Sequence, residues 1–180
     1  MKATGIVRRI DDLGRIVIPK EIRRTLRIRE GDPLEIFTDR EGKVILKKYS
    51  PIGELGSLAG IYADSLSKTL GCTVCITDTD QVIAEAGNGK KELQEMLLSA
   101  ELAEVFQERK TVLKKSSDAE FVAITKDRSE YSEEIISVIL SEGDIAGGVI
   151  FLQKNEKKHF GEMEKKFAAG AADLLGRQLS

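Results

Sequence analysis

The sequence predicts two folds in one chain of 180 residues: a β-rich N-terminal module over 1–50, and an α+β domain over 72–180 whose antiparallel sheet is flanked by helices. The first observation is the uneven distribution of charge along the chain. Residues 1–50 carry 13 Lys and Arg against 8 Asp and Glu, whereas residues 51–180 carry 15 Lys and Arg against 22 Asp and Glu. The second is a change of pattern at Pro51, where strand-like composition gives way to apolar residues at helical spacing. We therefore expect a basic module joined by a linker helix over 51–71 to an acidic domain.

The N-terminal module is predicted to consist of short strands joined by tight turns, with one brief helix. Gly14 supplies the unusual backbone angle of the first turn. Pro19 begins the helix, which directs Ile22 and Leu26 inward. In chain order the elements are a strand over 5–10, a turn over 11–14, a strand over 15–18, the helix, a turn over 29–32, and a hairpin of strands over 34–38 and 43–47.

The size of this module predicts that it is a dimer. Fifty residues with so few large apolar side chains cannot bury a sufficient core alone, and chains of this size depend on disulfides, metals or association. Residues 1–50 contain neither cysteine nor histidine, so association remains. We expect strands of two protomers to share one core.

The rest of the chain is predicted to form five strands and three helices. Ser50 caps the first helix and Gly71 ends it, although Gly56 and Gly60 weaken it. A break is expected near Ser99 in the second helix. The predicted helices cover 52–70, 92–109 and 160–179, and the predicted strands cover 73–77, 81–86, 120–125, 134–140 and 145–153.

The first and last of these helices carry apolar stripes wider than one domain needs. They are predicted to pack together and against a second copy, which with the dimeric module gives a homotetramer. The alternative is that both helices cover only the sheet of their own domain.

Arginine is concentrated in the N-terminal module, where six arginines fall within twenty residues: Arg8, Arg9, Arg15, Arg23, Arg24 and Arg27. Guanidinium groups bind phosphate oxygens in pairs and also bind guanine edges, and a dimer presents two copies of the set. The alternative interpretation is a solvated surface of salt bridges with acidic neighbours, namely Asp11, Asp12, Glu21, Glu30 and Asp32.

The segment from Asp12 to Leu26, followed by Gly31 to Ile36, closely resembles the AbrB family of transition-state regulators, and the pattern covers residues 1–48. The resemblance implies a swapped-hairpin fold of two interlocked chains that binds DNA. It places the DNA-contacting arginines at Arg8, Arg15, Arg23 and Arg24, with Lys2, Arg9 and Lys20 as flanking phosphate contacts. MazE-type antitoxins share this fold, so an antitoxin or an oligomerisation scaffold is the alternative function.

The predicted mode of recognition is an arginine surface on an A·T-leaning double-stranded DNA, read by shape more than by base sequence. Beyond arginine, few residues of the module could make directional contacts with bases.

The layout of an AbrB-like module, a helix and an α+β domain is similar to that of sporulation regulators of endospore-forming bacteria, whose C-terminal part is similar to GAF domains. This resemblance implies a cytoplasmic activator and repressor of late forespore genes, modulated by an unidentified small molecule. The candidate pocket residues are apolar strand positions that are equally well explained as core: Val74, Ile76, Val82, Ile124 and Val138.

Other sequence features predict no enzyme, metal or cofactor. Cys72 and Cys75 form a C-x-x-C pattern, but on a strand their side chains point to opposite faces. The glycine-containing segment 87–91 fails the P-loop pattern, and His159 is predicted to be exposed without a fixed partner. The acidic pairs Asp78/Asp80 and Glu133/Glu134 are placed in turn-like settings. No apolar run is long enough to span a bilayer and residues 1–4 lack a secretory pattern, so a cytosolic protein is expected.

Overall fold

The computed structural model describes residues 5–87, 92–126, 131–155 and 157–179. The chain divides into two compact units, the head (Met1–Tyr49) and the C-terminal unit (Ser50–Ser180). No helix within these described ranges is long and apolar enough to cross a membrane.

The head contains a short helix α1 (Lys20–Thr25) and an antiparallel hairpin of β1 (Leu34–Thr38) and β2 (Val44–Lys48). Leu34 lies opposite Lys48, and Thr38 lies opposite Val44. The predicted hairpin and helix are therefore confirmed.

Two strands predicted for the head, over 5–10 and 15–18, are not formed in the single chain. Between them the predicted turn is present, with the Gly14 N–H donating to the Asp11 carbonyl at 3.0 Å and φ of Gly14 at +76°. A strand needs a continuous hydrogen-bonded neighbour, and neither segment pairs with a described strand of the chain. The inward direction predicted for Leu26 is also wrong for the single chain, because its side chain is 57% exposed.

The C-terminal unit is built on a five-stranded antiparallel sheet with strand order β4-β3-β7-β6-β5. Its strands are β3 (Thr73–Thr77), β4 (Val82–Ala86), β5 (Thr111–Lys115), β6 (Glu133–Ser141) and β7 (Asp144–Gln153), and its helices are α2 (Pro51–Glu54), α3 (Gly56–Leu70), α4 (Ala100–Gln107) and α5 (Glu162–Gln178).

The sheet buries apolar side chains on both faces. Helices α3 and α5 cover one face, and α4 with the segments around residues 93–98 and 121–125 covers the other. Because neighbouring residues of a strand point to opposite faces, each strand contributes to both clusters. The resulting two-sided core is the α+β arrangement predicted from the sequence.

Three predicted elements differ from the structure. The helix expected over 52–70 is interrupted at Leu55, between α2 and α3, although Ser50 caps it and Gly71 ends it as predicted. The helix expected over 92–109 begins only after Ser99, whose Oγ accepts from the Leu102 N–H at 3.0 Å. The segment 120–125 is not a strand and forms only an isolated bridge between Leu98 and Thr125.

Candidate nucleic-acid interface

The predicted DNA-contacting arginines lie on three segments of the head. Arg8 precedes the 11–14 turn, Arg15 follows it, and Arg23 and Arg24 lie in the last turn of α1. Arg23 is half-buried and the other three are exposed. Of the flanking candidates, Arg9 and Lys20 are exposed, and Lys2 lies outside the described residues.

Most of these arginines are not neutralised by acidic neighbours. Arg8, Arg9, Arg23 and Arg24 form no ion pair with any residue that the structure describes. The nearby Asp32 instead accepts from Lys48 Nζ at 3.1 Å. These four guanidinium groups are therefore available to an anionic partner. Of the four predicted DNA-contacting arginines, only Arg15 forms, within the described part of the chain, the kind of salt bridge considered from the sequence.

Arg15 is held by Asp11. The Arg15 Nε donates to Asp11 Oδ2 at 2.8 Å, while Asp11 Oδ1 accepts from the main-chain N–H groups of Leu13 at 3.0 Å and Arg15 at 2.8 Å. Hydrogen bonds from the Arg15 main chain and then from its guanidinium lower the pKa of Asp11. One carboxylate thus fixes both the shape of the turn and the direction of the guanidinium.

Hydrogen bonds beyond α1 fix where the helix ends. The Leu26 N–H donates to the Ile22 carbonyl at 2.9 Å, and the Ile28 N–H donates to the Arg23 carbonyl at 2.8 Å. Arg27 has a φ of +53°, which turns the chain away from the helix axis. Arg23 and Arg24 therefore lie in a last helical turn whose main chain is fixed by hydrogen bonds.

The five candidate pocket residues do not line one common cavity. Val74 and Ile76 belong to the cluster under α3 and α5, whereas Val82, Ile124 and Val138 belong to the cluster under α4. All five are buried. On the α4 side the Phe106 ring lies so close to Gly148 that a Cβ there would be 2.7 Å from it.

The pair Glu133 and Glu134 does not lie in a turn, because both residues belong to β6 and are buried. Glu133 Oε2 accepts from the Phe160 N–H at 2.6 Å, and its Oε1 lies 2.7 Å from His159 Nδ1. His159 consequently has a fixed partner, contrary to the sequence prediction. These bonds attach the segment that leads into α5 to the sheet.

Glu134 faces the α4 side, the opposite side from Glu133. Its Oε1 accepts from the Val122 N–H at 3.0 Å, and its Oε2 has no hydrogen-bond partner among the described residues. Burial raises the pKa of Glu134 to about 7. Its cross-strand neighbour on β5 is Lys114, which is also buried. The sequence contains no local signal for this buried carboxyl, because its covering segment is distant along the chain.

The remaining sequence features carry no reactive site in the described part of the chain. Cys72 and Cys75 are free and lie in different clusters on opposite faces of the sheet, as predicted. Burial raises the pKa of both thiols, that of Cys72 to about 12. Within the described ranges no group of His, Cys, Asp and Glu could hold a metal ion. The segment 87–91 lies outside these ranges except for its first residue.

Asp78 lies in the turn between β3 and β4, as predicted, and is buried. Its Oδ1 accepts from the N–H groups of Asp80 and Gln81, both at 2.7 Å. Its Oδ2 accepts from Ser50 Oγ at 2.8 Å, and the same Oγ accepts from the Gly53 N–H at the start of α2. The first residue of the C-terminal unit is therefore bonded directly to the turn between β3 and β4.

Two family models match the chain. The model of the C-terminal domain of stage V sporulation protein T, described as a transcription factor, matches residues 54–180. The model of MazE, a bacterial antitoxin described as an antidote-toxin recognition protein, matches residues 7–54.

Relatives and solved structures agree with this division. Stage V sporulation protein T of Bacillus subtilis (strain 168) is 51% identical over an alignment of 183 residues that covers 99% of this chain and 99% of the relative. The transition state regulatory protein AbrB of the same bacterium is 45% identical over 95 residues, which are 52% of this chain and 98% of AbrB. The structure of the cofactor-binding GAF domain of the nutrient sensor CodY from Clostridium difficile covers 67% of this chain and 83% of its own, with a TM-score of 0.52 and 14% identity.

These matches confirm the predicted fold class, with an AbrB-like module followed by a GAF-like domain. The match to the C-terminal family model spans more than half of the chain, and the full-length relative shares its order of domains from end to end. The chain belongs to the stage V sporulation protein T family of transcription factors.

Proposed function

We propose that the protein is a cytoplasmic regulator of late forespore sporulation genes, an activator and a repressor that binds double-stranded DNA through the arginines of its head. The observation that supports this most strongly is a set of arginines that form no ion pair with any described residue, on a head that is similar to AbrB: Arg8, Arg9, Arg23 and Arg24. We assign residues 1–50 to DNA binding, 51–71 to a linker helix, and 72–180 to a sensor and oligomerisation domain.

The head acts as an interlocked dimer. Among residues 5–49 only Pro19 is buried, so the single chain has no apolar core in this unit. Exposed apolar side chains occupy both arms beside the 11–14 turn and continue along the hairpin: Val7, Ile10, Leu13, Ile16, Val17, Ile36 and Val44. Burying one such side chain stabilises by about 1.5–3 kcal/mol, so a second copy supplies the stability that one head lacks.

The dimer contacts an A·T-leaning duplex chiefly through phosphates and reads its shape. Two copies of four arginines neutralise about 6 to 8 phosphates, which gives a slope of about −5 to −7 in log K against log salt concentration. Guanidinium groups also enter a narrow minor groove, where A·T-rich sequences have an enhanced negative potential.

A second interface joins two dimers into a tetramer. Helices α3 and α5 border an exposed groove of about 400 Å³ on their outer surface, lined mainly by apolar side chains that include Tyr62, Leu66, Met163, Phe167, Ala171 and Leu174. We assign this groove to a second copy of the chain, because helices with apolar outer faces form bundles.

The GAF-like domain senses a small molecule. The fold supports this assignment, and the Phe106 ring packs directly over Gly148 on the α4 side of the sheet. An effector that binds only the folded domain raises the free energy of unfolding by RT ln(1 + L/Kd), where L is the free ligand concentration, so the melting temperature rises with the logarithm of ligand concentration once the site is saturated, which thermal unfolding of the whole chain measures.

Replacing Arg8, Arg15, Arg23 and Arg24 with alanine tests the DNA-binding function. We expect the affinity for an A·T-rich duplex to fall at least about a hundredfold and the salt dependence to flatten, because the phosphate contacts are lost. Fluorescence anisotropy at several salt concentrations measures both. The control variant carries alanine at four exposed lysines of the C-terminal unit, so it makes the same change in formal charge: Lys110, Lys126, Lys157 and Lys158.

The second candidate function is that of an antitoxin or an oligomerisation scaffold, which the MazE match over residues 7–54 favours. In that case the head mainly mediates association, and the fourfold arginine variant keeps both its dimer and its partner binding. A dimeric variant with unchanged DNA affinity would support this second function and contradict the first.

A further inference from the structure

Asp11 is an acidic residue in the middle of a surface assigned to an anionic ligand. A carboxylate at such a position repels phosphate and weakens binding unless it has another role. Its neighbour Asp12 provides the contrast, because Asp12 is exposed and makes no hydrogen bond or ion pair with any residue in the described part of the chain. Asp11 instead accepts three hydrogen bonds within the turn.

The three bonds divide between the two carboxylate oxygens. Oδ1 accepts from two main-chain N–H groups and shapes the turn, whereas Oδ2 accepts, among the described residues, only from Arg15 Nε. A guanidinium has five N–H donors, and using the Nε donor leaves the four donors on the two Nη atoms. One donor from each Nη can form the two parallel hydrogen bonds that a phosphate or a guanine edge accepts.

We propose that Asp11 is a positioning residue for DNA binding, which holds the Arg15 guanidinium by its Nε so that the Nη pair meets the nucleic acid. This inference rests on the proposed function. The Arg15 side chain is 69% exposed, so without Asp11 it samples many rotamers and loses more conformational entropy on binding. The favourable effect of fixing Arg15 exceeds the repulsion between the Asp11 carboxylate and phosphate.

The inference predicts opposite signs for two neighbouring substitutions. Asp12→Asn removes one negative charge per subunit and is expected to strengthen DNA binding about twofold to threefold. Asp11→Asn removes the same charge but also the acceptor of the Arg15 Nε bond, and is expected to weaken binding about fivefold. The asparagine oxygen still accepts from the two main-chain N–H groups, so the turn and the head keep their structure.

A double-mutant cycle with Arg15→Ala separates positioning from folding. In the Arg15→Ala background, Asp11→Asn is expected to lose its unfavourable effect and to strengthen binding as Asp12→Asn does. A purely structural defect would weaken binding equally in both backgrounds. Asp11→Ala, which removes all three bonds, is expected to bind at least as weakly as Asp11→Asn, with circular dichroism and the dimer mass measured for every variant.

Fluorescence anisotropy with a synthetic A·T-rich duplex measures the DNA affinity of each variant, made in the whole chain. If Asp11→Asn strengthens binding as much as Asp12→Asn does, the positioning role is wrong while the proposed function stands. If Arg15→Ala leaves affinity unchanged, Arg15 makes no contact, and both the positioning role and the assignment of Arg15 to the DNA surface are overturned.

Discussion

The head and the C-terminal unit bury their apolar side chains to very different extents. In the head only Pro19 is buried among residues 5–49, whereas the sheet of the C-terminal unit packs apolar side chains on both faces. The units also differ in charge, with a basic head and an acidic remainder. The C-terminal unit has a core that one chain completes, whereas residues 5–49 of the head form no such core in the single chain, as expected of the dimer proposed above.

The same substitution in the two units tests this difference most strongly. Leu26 in the head is 57% exposed in the single chain, and Leu97 in the C-terminal unit is 49% exposed. We expect Leu26→Asp to lower the free energy of unfolding of the head by about 3 kcal/mol or more, because a carboxylate is placed in a shared core.

Leu97→Asp serves as the control, since a surface substitution in a unit with its own core stays within about 0.5 kcal/mol. Chemical denaturation and sedimentation velocity of the full chain measure stability and dimer mass. Equal and small effects of the two substitutions would show that the head is stable without a partner.

The C-terminal unit contains a buried carboxyl, Glu134, that is expected to make its stability depend on pH. The pKa of this carboxyl is raised by burial to about 7, so between its ordinary value of 4.5 and 7 the folded state binds more protons than the unfolded state. The free energy of unfolding is therefore expected to fall as pH rises through this window, by up to about 3 kcal/mol, and then to level off.

Glu134→Gln is expected to remove this pH dependence, which thermal unfolding between pH 5 and pH 8 measures. Glu120→Gln, at an exposed position, changes the formal charge equally and is the control. If wild type and Glu134→Gln share the same dependence on pH, the carboxyl is ionised in the folded state throughout this window.

The smallest effect on folding is expected at the groove between α3 and α5. Phe167 is partly exposed there, and Phe167→Lys is expected to change the stability of the unit by no more than about 1 kcal/mol. The assembly is nevertheless expected to halve in mass from tetramer to dimer, as measured by multi-angle light scattering. Leu97→Lys is the matched control, and a tetrameric Phe167→Lys variant would exclude this groove as the second interface.

Local signals in the sequence predicted much of the fold. Ser50 and Gly71 mark the start and end of the first long helical region, and Gly14 marks the turn of the head. The segment from Asp12 to Leu26, followed by Gly31 to Ile36, also predicted the AbrB-like fold of the head, which the relatives confirm. These features depend on residues within a few positions of one another, which explains why they could be predicted.

Features that depend on distant residues were missed. β5 ends in two lysines and was not predicted, because its strand character comes from pairing with β6. Glu133 is buried through contacts with His159 and Phe160, and Glu134 through the segment containing Val122. The two strands predicted beside the 11–14 turn are absent from the single chain for the same reason, since their neighbour is not supplied locally.

The bond between Ser50 and Asp78 gives the first helix of the C-terminal unit a fixed start. The Ser50 hydroxyl donates to the Asp78 carboxylate in the β3–β4 turn and accepts from the Gly53 N–H of α2. A displacement of this turn would therefore carry the first turn of α2 with it, because a single side chain holds the two together.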